Sequence, residues 1–241
     1  MQTIYTIFFA IFFISTSILF YPIALLIWLF TVLFDKKLKF LHLFTQFWGI
    51  MYIKIVPSWS HKVINRHKAD KNQTYIMISN HLSNMDILAI SGLFLHYKWV
   101  SKFEVVKIPF VGWTMLLNRY ILFRRADKES IKKMFHECEL NLKAGNSIMM
   151  FPEGTRSPDG NMHTFKPGAF ILAKKLELPI LPIVLKETHL ALPKNSLKFG
   201  TKCNMSVEVL DPVPFSEFGN LRIDEIAMKF ENMIRAKYEN L

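Results

Sequence analysis

The first 34 residues, Met1 to Phe34, contain no Lys, Arg, Asp, Glu or His, while Phe, Ile and Leu recur throughout. A helix needs roughly 20 apolar residues to cross a bilayer, so this segment is long enough to do so. Pro22 lies in its middle and removes a helix hydrogen bond, so one tilted span and two shorter helices within one leaflet both fit. The segment lacks the basic start and the small-residue cleavage site of a signal peptide. We therefore expect an N-terminal helical segment that anchors the protein to a membrane.

The residues that follow this segment indicate which side of the membrane the rest of the chain occupies. Lys36, Lys37 and Lys39 come directly after it, and basic residues that flank a membrane segment favour the cytoplasmic side. Residues 41–59 are apolar and aromatic with polar interruptions, which predicts an interfacial segment or one packed under the membrane helix. We place the boundary here, with a membrane-associated helical segment at 1–59 and one folded domain at 60–241.

The charge of the chain limits its partners. Lys and Arg number 30 against 19 Asp and Glu, a formal net charge of +11. No basic stripe interleaved with aromatic residues and no reader motif accompanies this charge, so we expect no nucleic-acid partner. Anionic lipid headgroups and phosphorylated substrates are the favoured explanation, and a merely solvated basic face is the alternative. The two cysteines, Cys138 and Cys203, show no pairing pattern and indicate a reducing compartment without a metal cluster.

Short apolar runs alternate with helical patterns after residue 60. Asp127 and Gly145 predict the start and the end of the clearest helix. Further helices are predicted at 85–95, 169–176 and 221–241. The predicted strands are 74–79, 98–102, 120–123, 147–151, 180–185 and 205–210. Strands that alternate with helices predict an α/β fold with a largely parallel central sheet flanked by helices.

Polar clusters follow three of these predicted strands. SNHLSNMD (79–86) follows the first strand, RRAD (124–127) the third and PEGTRS (152–157) the fourth. Ligands bind beyond the carboxyl ends of the strands in such sheets, and parallel strands bring those ends to one edge. We therefore expect the three clusters to meet in one site.

His81 and Asp86 have the chemistry of a general base and its orienting partner. Imidazole titrates near neutral pH, and a carboxylate on its other nitrogen fixes its orientation. A spacing of five is poor on one regular helix, but a loop followed by a first helical turn allows Asp86 to fold back to His81. The alternative is that loop backbone satisfies the two side chains separately. No G-x-S-x-G serine and no cysteine with a local base accompanies them, so a substrate hydroxyl is the expected nucleophile, as in direct acyl transfer.

FPEGTRS (151–157) has the composition of an anion-binding loop. Gly154 allows another group to approach the backbone closely, and the planar guanidinium of Arg156 suits phosphate oxygens. Arg124 and Arg125 lie at the next predicted strand end. A single surface arginine is usually just solvated, but arginines at two strand ends that face one edge favour a phosphate site.

These residues resemble the motifs of the glycerolipid acyltransferase family, typified by lysophosphatidate (1-acylglycerol-3-phosphate) acyltransferases. NHLSNMD (80–86) is similar to the first motif, His-x4-Asp, and FPEGTRS matches the third over seven consecutive letters. ILFRR (121–125) resembles the second motif, with Arg125, or alternatively Arg124, aligned to its arginine, and LPILPIVL (178–185) resembles the fourth. The resemblance covers residues 75–210 together with the N-terminal membrane segment.

Two further stretches look like segments of the same family. They are KFEVVKIPFVGW (102–113), which begins with Lys102, and FKPGAF (165–170). Arg124 is a departure, because many relatives carry a different polar residue there. This departure leaves the identity of the acceptor open.

The resemblance implies that 60–241 is an acyltransferase catalytic domain. It would move an acyl group from acyl-CoA or acyl-carrier protein to the free hydroxyl of lysophosphatidate, giving phosphatidate. His81 would be the base and Asp86 its orienting partner. The residues implied at the substrate site are Arg125, Arg124, Lys102, Glu153, Gly154, Thr155 and Arg156. The family's chemistry implies no metal, no cofactor beyond the acyl donor and no covalent enzyme intermediate.

Three other functions remain as alternatives. Another lysophospholipid or a hydroxyl-bearing lipid fits the same motifs, because a phosphate is common to most of these acceptors. A non-catalytic lipid-binding protein on the same fold is a remote alternative. A metal hydrolase is weaker still, since no further His, Asp or Glu cluster has ligand spacing. The sequence leaves acyl-chain preference, the choice of donor and the oligomeric state open.

Overall fold

A computed structural model describes residues 2–157, 161–193, 199 and 202–240. The α-helices in this part of the chain are α1 (Gln2–Thr31), α2 (Lys39–Lys54), α3 (Met85–Ser91), α4 (Val111–Leu117), α5 (Lys128–Lys143), α6 (Gly168–Leu176), α7 (Thr188–Ala191) and α8 (Ile223–Glu239). The strands are β1 (Trp59–Ile64), β2 (Ile76–Ser79), β3 (Tyr97–Lys102), β4 (Ile121–Phe123), β5 (Ser147–Met150), β6 (Ile180–Lys186) and β7 (Cys203–Val209). Short 3-10 helices lie at Arg66–Lys68, Phe103–Lys107 and Phe215–Glu217.

The strands of the described chain form one seven-stranded sheet in the order β1-β7-β6-β2-β5-β3-β4. The five strands from β6 to β4 in this order are parallel to one another. β7 runs antiparallel to β6, and β1 runs parallel to β7. The predicted α/β fold with a largely parallel sheet flanked by helices is therefore confirmed.

The six predicted strands are all present, with ends that agree to within two residues. β1 was not predicted. It lies at the edge of the sheet and only Trp59 of its six residues is fully buried, so its sequence lacks the apolar run that marks the central strands. The short helices α4 and α7 were not predicted either.

Each face of the sheet is covered by its own apolar core. Successive strand residues point to opposite faces, so Met77 of β2 packs with residues of α2 and α3, while its neighbours Ile76 and Ile78 pack with residues of α5, α6 and α8. All four residues of β2 are buried. This central strand therefore gives the loop that follows it a rigid support.

Helix α5 begins and ends where the sequence predicted. The Asp127 Oδ1 atom accepts a hydrogen bond of 2.9 Å from the backbone N–H of Ser130, as an N-cap does. Gly145 follows the helix at φ +76°, a conformation that glycine adopts without steric cost.

Helix α1 packs against the rest of the protein along most of its length. Near its start Phe9 contacts Trp59, at 6.1 Å between ring centroids. In its second half Tyr21 lies 5.4 Å from the ring of Trp113 in α4, and Ala24 is fully buried. The opposite face of α1 is apolar and exposed. The segment Thr6–Thr31 is apolar and long enough to cross a membrane.

Helix α2 lies under α1, the second of the two arrangements predicted for residues 41–59. It buries Trp48, Tyr52 and Ile53, and it also packs on α3 and β1. Its outer face exposes Phe40 and Phe47, which extend the apolar surface of α1. The predicted domain boundary after residue 59 stays a prediction.

Candidate active site

The loops that follow β2 and β5 lie side by side, because these parallel strands are neighbours in the sheet. The first loop carries His81 and leads into α3, whose first turn carries Asp86. The second loop carries FPEGTRS (151–157). The backbone N–H of Ser157 donates to the carbonyl oxygen of His81 at 2.8 Å, which joins the two loops directly.

His81 and Asp86 form the predicted pair. His81 Nδ1 lies 2.7 Å from Asp86 Oδ2. The carboxylate accepts hydrogen bonds, so this contact assigns the proton to Nδ1 and leaves the acceptor lone pair on Nε2, on the other side of the ring. The imidazole is 15% exposed and the carboxylate is fully buried. The arrangement places the imidazole near the surface and the carboxylate beneath it.

The turn between β2 and α3 brings the side chains of His81 and Asp86 together, although the two residues are five positions apart. Asp86 Oδ2 also accepts the backbone N–H groups of Leu82 at 2.7 Å and Ser83 at 2.9 Å. Its other oxygen, Oδ1, accepts a hydrogen bond from the hydroxyl of Thr188. The carboxylate therefore folds back over the loop that precedes its own helix.

An aromatic stack supports the imidazole from one side. The His81 ring lies 3.9 Å from the ring of Phe151, with 10° between the planes. Phe151 in turn stacks on Trp99, at 5.7 Å and 26°. The two rings fix the plane of the imidazole, while Asp86 fixes its rotation within that plane.

Glu153 connects the loops of the site through its buried carboxylate. It is 1% exposed. Oε1 accepts the backbone N–H of His81 at 2.7 Å, and Oε2 accepts the Ser157 hydroxyl at 2.7 Å and the backbone N–H of His163 at 2.9 Å. The carboxylate is buried and one of its oxygens holds the N–H of His81, so its geometry suits positioning of the His81 backbone.

Gly154, the glycine of the FPEGTRS loop, has a left-handed backbone conformation that other residue types rarely adopt. Gly154 has φ +67°, and a Cβ atom there would lie 2.9 Å from Nζ of Lys166. Thr155 and Arg156 follow and are half-buried. The loop thus brings Lys166 close to its glycine and carries Arg156 near the His81 loop.

The remaining predicted substrate residues lie further along the same edge of the sheet. Lys102 ends β3, and Arg124 and Arg125 follow β4, the outermost strand. Three strand spacings separate β4 from β2, a distance of about 14 Å. Arg124 is exposed and its guanidinium lies 4.2 Å over the ring of Phe103. Arg125 is also exposed, and both arginines lie on the same edge of the sheet as His81, three strands away from it.

Two other observations concern the chemistry of the site. Burial raises the pKa of the Cys138 thiol and that of the Cys203 thiol to about 12, so neither has the character of a nucleophile. No group of three or more His, Cys, Asp or Glu side chains with the geometry to hold a metal ion occurs in the described residues.

Sequence reasoning did not identify three contributors to the site. They are Thr188, the ring of Phe151, and the Asn80 side chain, whose amide exchanges two hydrogen bonds with the backbone of Leu185 at 2.8 and 2.9 Å. Phe151 and Asn80 were visible as letters of the motifs, without a role. Thr188 carries no local signal, because its contact joins residues 102 positions apart.

Comparisons with known proteins show what this chain is similar to. A family model described as acyltransferase matches residues 60–186. The chain is 34% identical over 202 residues to the chloroplastic 1-acyl-sn-glycerol-3-phosphate acyltransferase BAT2 of Brassica napus, which covers 83% of this chain and 58% of that relative. It is 30% identical over 197 residues to the 1-acyl-sn-glycerol-3-phosphate acyltransferase of Salmonella typhimurium, which covers 80% of this chain and 79% of that relative.

A solved structure has the same fold. It is the crystal structure of the 1-acyl-sn-glycerophosphate (LPA) acyltransferase PlsC from Thermotoga maritima, with a TM-score of 0.81, covering 100% of this chain and 97% of that chain at 24% sequence identity. The match extends over α1 and α2 as well as the sheet. By contrast, the chain spans only 58% and 52% of the lengths of the plant relatives from Brassica napus and Arabidopsis thaliana.

Proposed function

The chain belongs to the acyltransferase family, and we propose that it transfers a fatty acyl group from an acyl thioester to the free hydroxyl of lysophosphatidate, giving phosphatidate. The acyl donor is acyl-CoA or acyl-carrier protein, used as a substrate. The observation that carries the proposal is the 2.7 Å contact between His81 Nδ1 and Asp86 Oδ2 beyond the carboxyl end of a buried strand. The names of the relatives from Brassica napus and Salmonella typhimurium support the choice of acceptor.

The base in this reaction is Nε2 of His81. It removes the proton from the acceptor hydroxyl as the oxygen attacks the carbonyl carbon of the thioester. The bond from carbon to sulfur then breaks, and the proton passes from the imidazolium to the leaving thiolate. Asp86 stabilises the imidazolium and keeps the proton of the resting ring on Nδ1. A thioester is already reactive, so positioning of the two substrates together with one general base is sufficient for the transfer.

Arg156 is the residue best placed to hold the phosphate of the acceptor. It follows β5, the strand next to β2, and the loop that carries it is hydrogen-bonded to His81. The hydroxyl and the phosphate of lysophosphatidate lie on one glycerol unit, so the base and the phosphate contact must be close. Arg125 follows β4 and Lys102 ends β3, so they are suited to the outer part of the same anionic group or to the acyl donor.

The protein is proposed to sit in one leaflet of a membrane with the catalytic domain on the cytoplasmic side. Helix α1 stays in contact with the domain from Phe9, which packs on Phe199, to Tyr21, which packs on Trp113, a length of about 18 Å at the rise of an α-helix. A helix held to a folded domain over that length cannot also cross a hydrocarbon core of about 30 Å unless the domain enters the bilayer. The exposed apolar face of α1 is then buried in lipid, close to two substrates with apolar tails.

The membrane placement is tested with a protease-cleavable tag at the N-terminus of protein bound to the outside of vesicles. In a one-leaflet arrangement the tag stays on the side of the domain and added protease removes it. Protection of the tag until detergent is added would mean that α1 spans the bilayer. Binding should persist in high salt, because it depends on apolar area.

The proposed reaction is tested with purified protein, one defined acyl-CoA and a panel of acceptors, with products identified by mass spectrometry. We expect phosphatidate from lysophosphatidate, with release of free thiol, and slower acylation of a neutral monoacylglycerol. A preference for another lysophospholipid would change the acceptor and keep the chemistry. Acceptor binding without thiol release would refute the catalytic proposal and favour a lipid-binding protein.

A further inference from the structure

We propose that Thr188 is a positioning residue for the reaction. It acts through the second oxygen of the Asp86 carboxylate, which holds the His81 ring in position. This inference rests on the proposed function. Thr188 is the first residue of α7, and both it and Asp86 are fully buried. Its hydroxyl donates a hydrogen bond to Asp86 Oδ1.

The two carboxylate oxygens have different partners. Oδ2 accepts His81 Nδ1 and the backbone N–H groups of Leu82 and Ser83. Among the described hydrogen bonds, Oδ1 accepts only that of Thr188. The Asp86 carboxylate can rotate about its Cβ–Cγ bond. Such a rotation would move Oδ2 out of the plane of the imidazole. The Thr188 hydroxyl opposes that rotation from the other end of the carboxylate.

The charge of Asp86 is stabilised by hydrogen-bond donors. Within the described chain, its only ion-pair partner is His81, at 2.7 Å. Hydrogen bonds to a charged group contribute more than those between neutral groups. The charge on Asp86 is also the charge that stabilises the imidazolium during transfer. Loss of one donor therefore affects the reaction as well as the geometry.

The Thr188 hydroxyl is not needed to hold its own segment in place. At one end of residues 185–192 the Asn80 side chain exchanges two hydrogen bonds with the backbone of Leu185. At the other end the Ser83 hydroxyl donates to the carbonyl oxygen of Leu192 at 2.6 Å. The segment is thus fixed to the His81 loop on both sides of Thr188. The contribution that the hydroxyl adds is its contact with Asp86.

The test compares three variants in the purified full chain: Thr188→Val, Thr188→Ser and, as a matched control, Thr114→Val. Thr114 is buried, but its hydroxyl has no hydrogen-bond partner among the described residues. We expect Thr188→Val to lower kcat about tenfold, the effect of losing one hydrogen bond to a charged group. KM for lysophosphatidate should stay unchanged. Thr188→Ser should restore most of kcat, and Thr114→Val should match wild type.

A double-mutant cycle shows whether Thr188 acts through Asp86. In an Asp86→Ala background Thr188→Val should have little further effect on kcat, because the carboxylate that it positions is gone. The proposal is overturned if Thr188→Val turns over like wild type, if Thr188→Ser is as impaired as Thr188→Val, or if the effect of Thr188→Val is undiminished without Asp86. A wild-type protein that transfers no acyl group overturns the proposed function, and this inference with it.

Discussion

Replacing Glu153 with Gln tests whether the FPEGTRS loop works by positioning the His81 backbone. The carboxylate accepts three hydrogen bonds, one on Oε1 from the His81 N–H and two on Oε2 from the Ser157 hydroxyl and the His163 N–H. The glutamine side chain has nearly the same shape but only one oxygen. Its other terminal group is an NH₂ that donates.

Either orientation of the amide leaves one backbone N–H facing another donor. With the oxygen towards Ser157 and His163, the NH₂ meets the N–H of His81, and the reverse orientation places it against the N–H of His163. An unsatisfied buried donor costs about 1–3 kcal/mol, and the remaining bonds lose the assistance of the negative charge. We therefore expect Glu153→Gln to lower the free energy of unfolding by about 2–3 kcal/mol.

The assay is denaturant unfolding in detergent, followed by kinetics on the same preparation. Glu217→Gln is the control, because the side chain of Glu217 is 58% exposed and surface substitutions usually change stability by less than about 0.5 kcal/mol. We expect kcat of Glu153→Gln to fall about tenfold or more, since small displacements of a reacting group are costly. Unchanged stability combined with a raised KM for lysophosphatidate would refute the reasoning, because the carboxylate would then contact the substrate.

Three further perturbations have expected results. Gly154→Ala forces a Cβ to within 2.9 Å of Lys166 Nζ at φ +67°, so the unfolding free energy should fall by about 1 kcal/mol; an unchanged melting temperature would contradict this. Arg156→Ala should raise KM for lysophosphatidate more than Arg125→Ala does, because β5 is adjacent to β2 and β4 is not; equal effects in a kinetic comparison would contradict the proposed phosphate contact. Burial lowers the pKa of His96 from 6.5 to about 4, so the unfolded chain binds more protons between these pH values and stability falls by up to about 3 kcal/mol as the pH drops from 6.5 to 4. Melting curves across this range should show a smaller loss for His96→Gln than for wild type, and equal losses would contradict the assignment.

The parts of the fold that could be predicted are those with a strong local pattern. β2 is buried on both faces and reads as an apolar run, and α5 has both an apolar face and end signals in Asp127 and Gly145. β1 is only partly buried and lies at the sheet edge, so its sequence resembles a loop. Four-residue α7 is too short for a helical period to show.

In the site, too, the features with a local sequence pattern could be predicted and those without one could not. His81 and Asp86 could be predicted because one turn holds both, and the parallel order of the strands brought FPEGTRS beside them. The contact of Thr188 with Asp86 depends on the packing of β6 beside β2, which no spacing in the chain encodes. The arginines after β4 were placed on the correct edge, but the order of the strands, and so their distance from His81, came only from the structure.

The turnover of purified His81→Ala is the most direct test of the proposed reaction. It is measured as phosphatidate formed from lysophosphatidate and acyl-CoA, beside His136→Ala as a control on the exposed face of α5. A general base is worth about 10²–10⁴-fold, so we expect His81→Ala to lose at least about 100-fold in kcat while its melting temperature shows a folded protein. His136→Ala should keep the wild-type rate. A folded His81→Ala protein that makes phosphatidate as fast as wild type would contradict the assignment of His81 as the base.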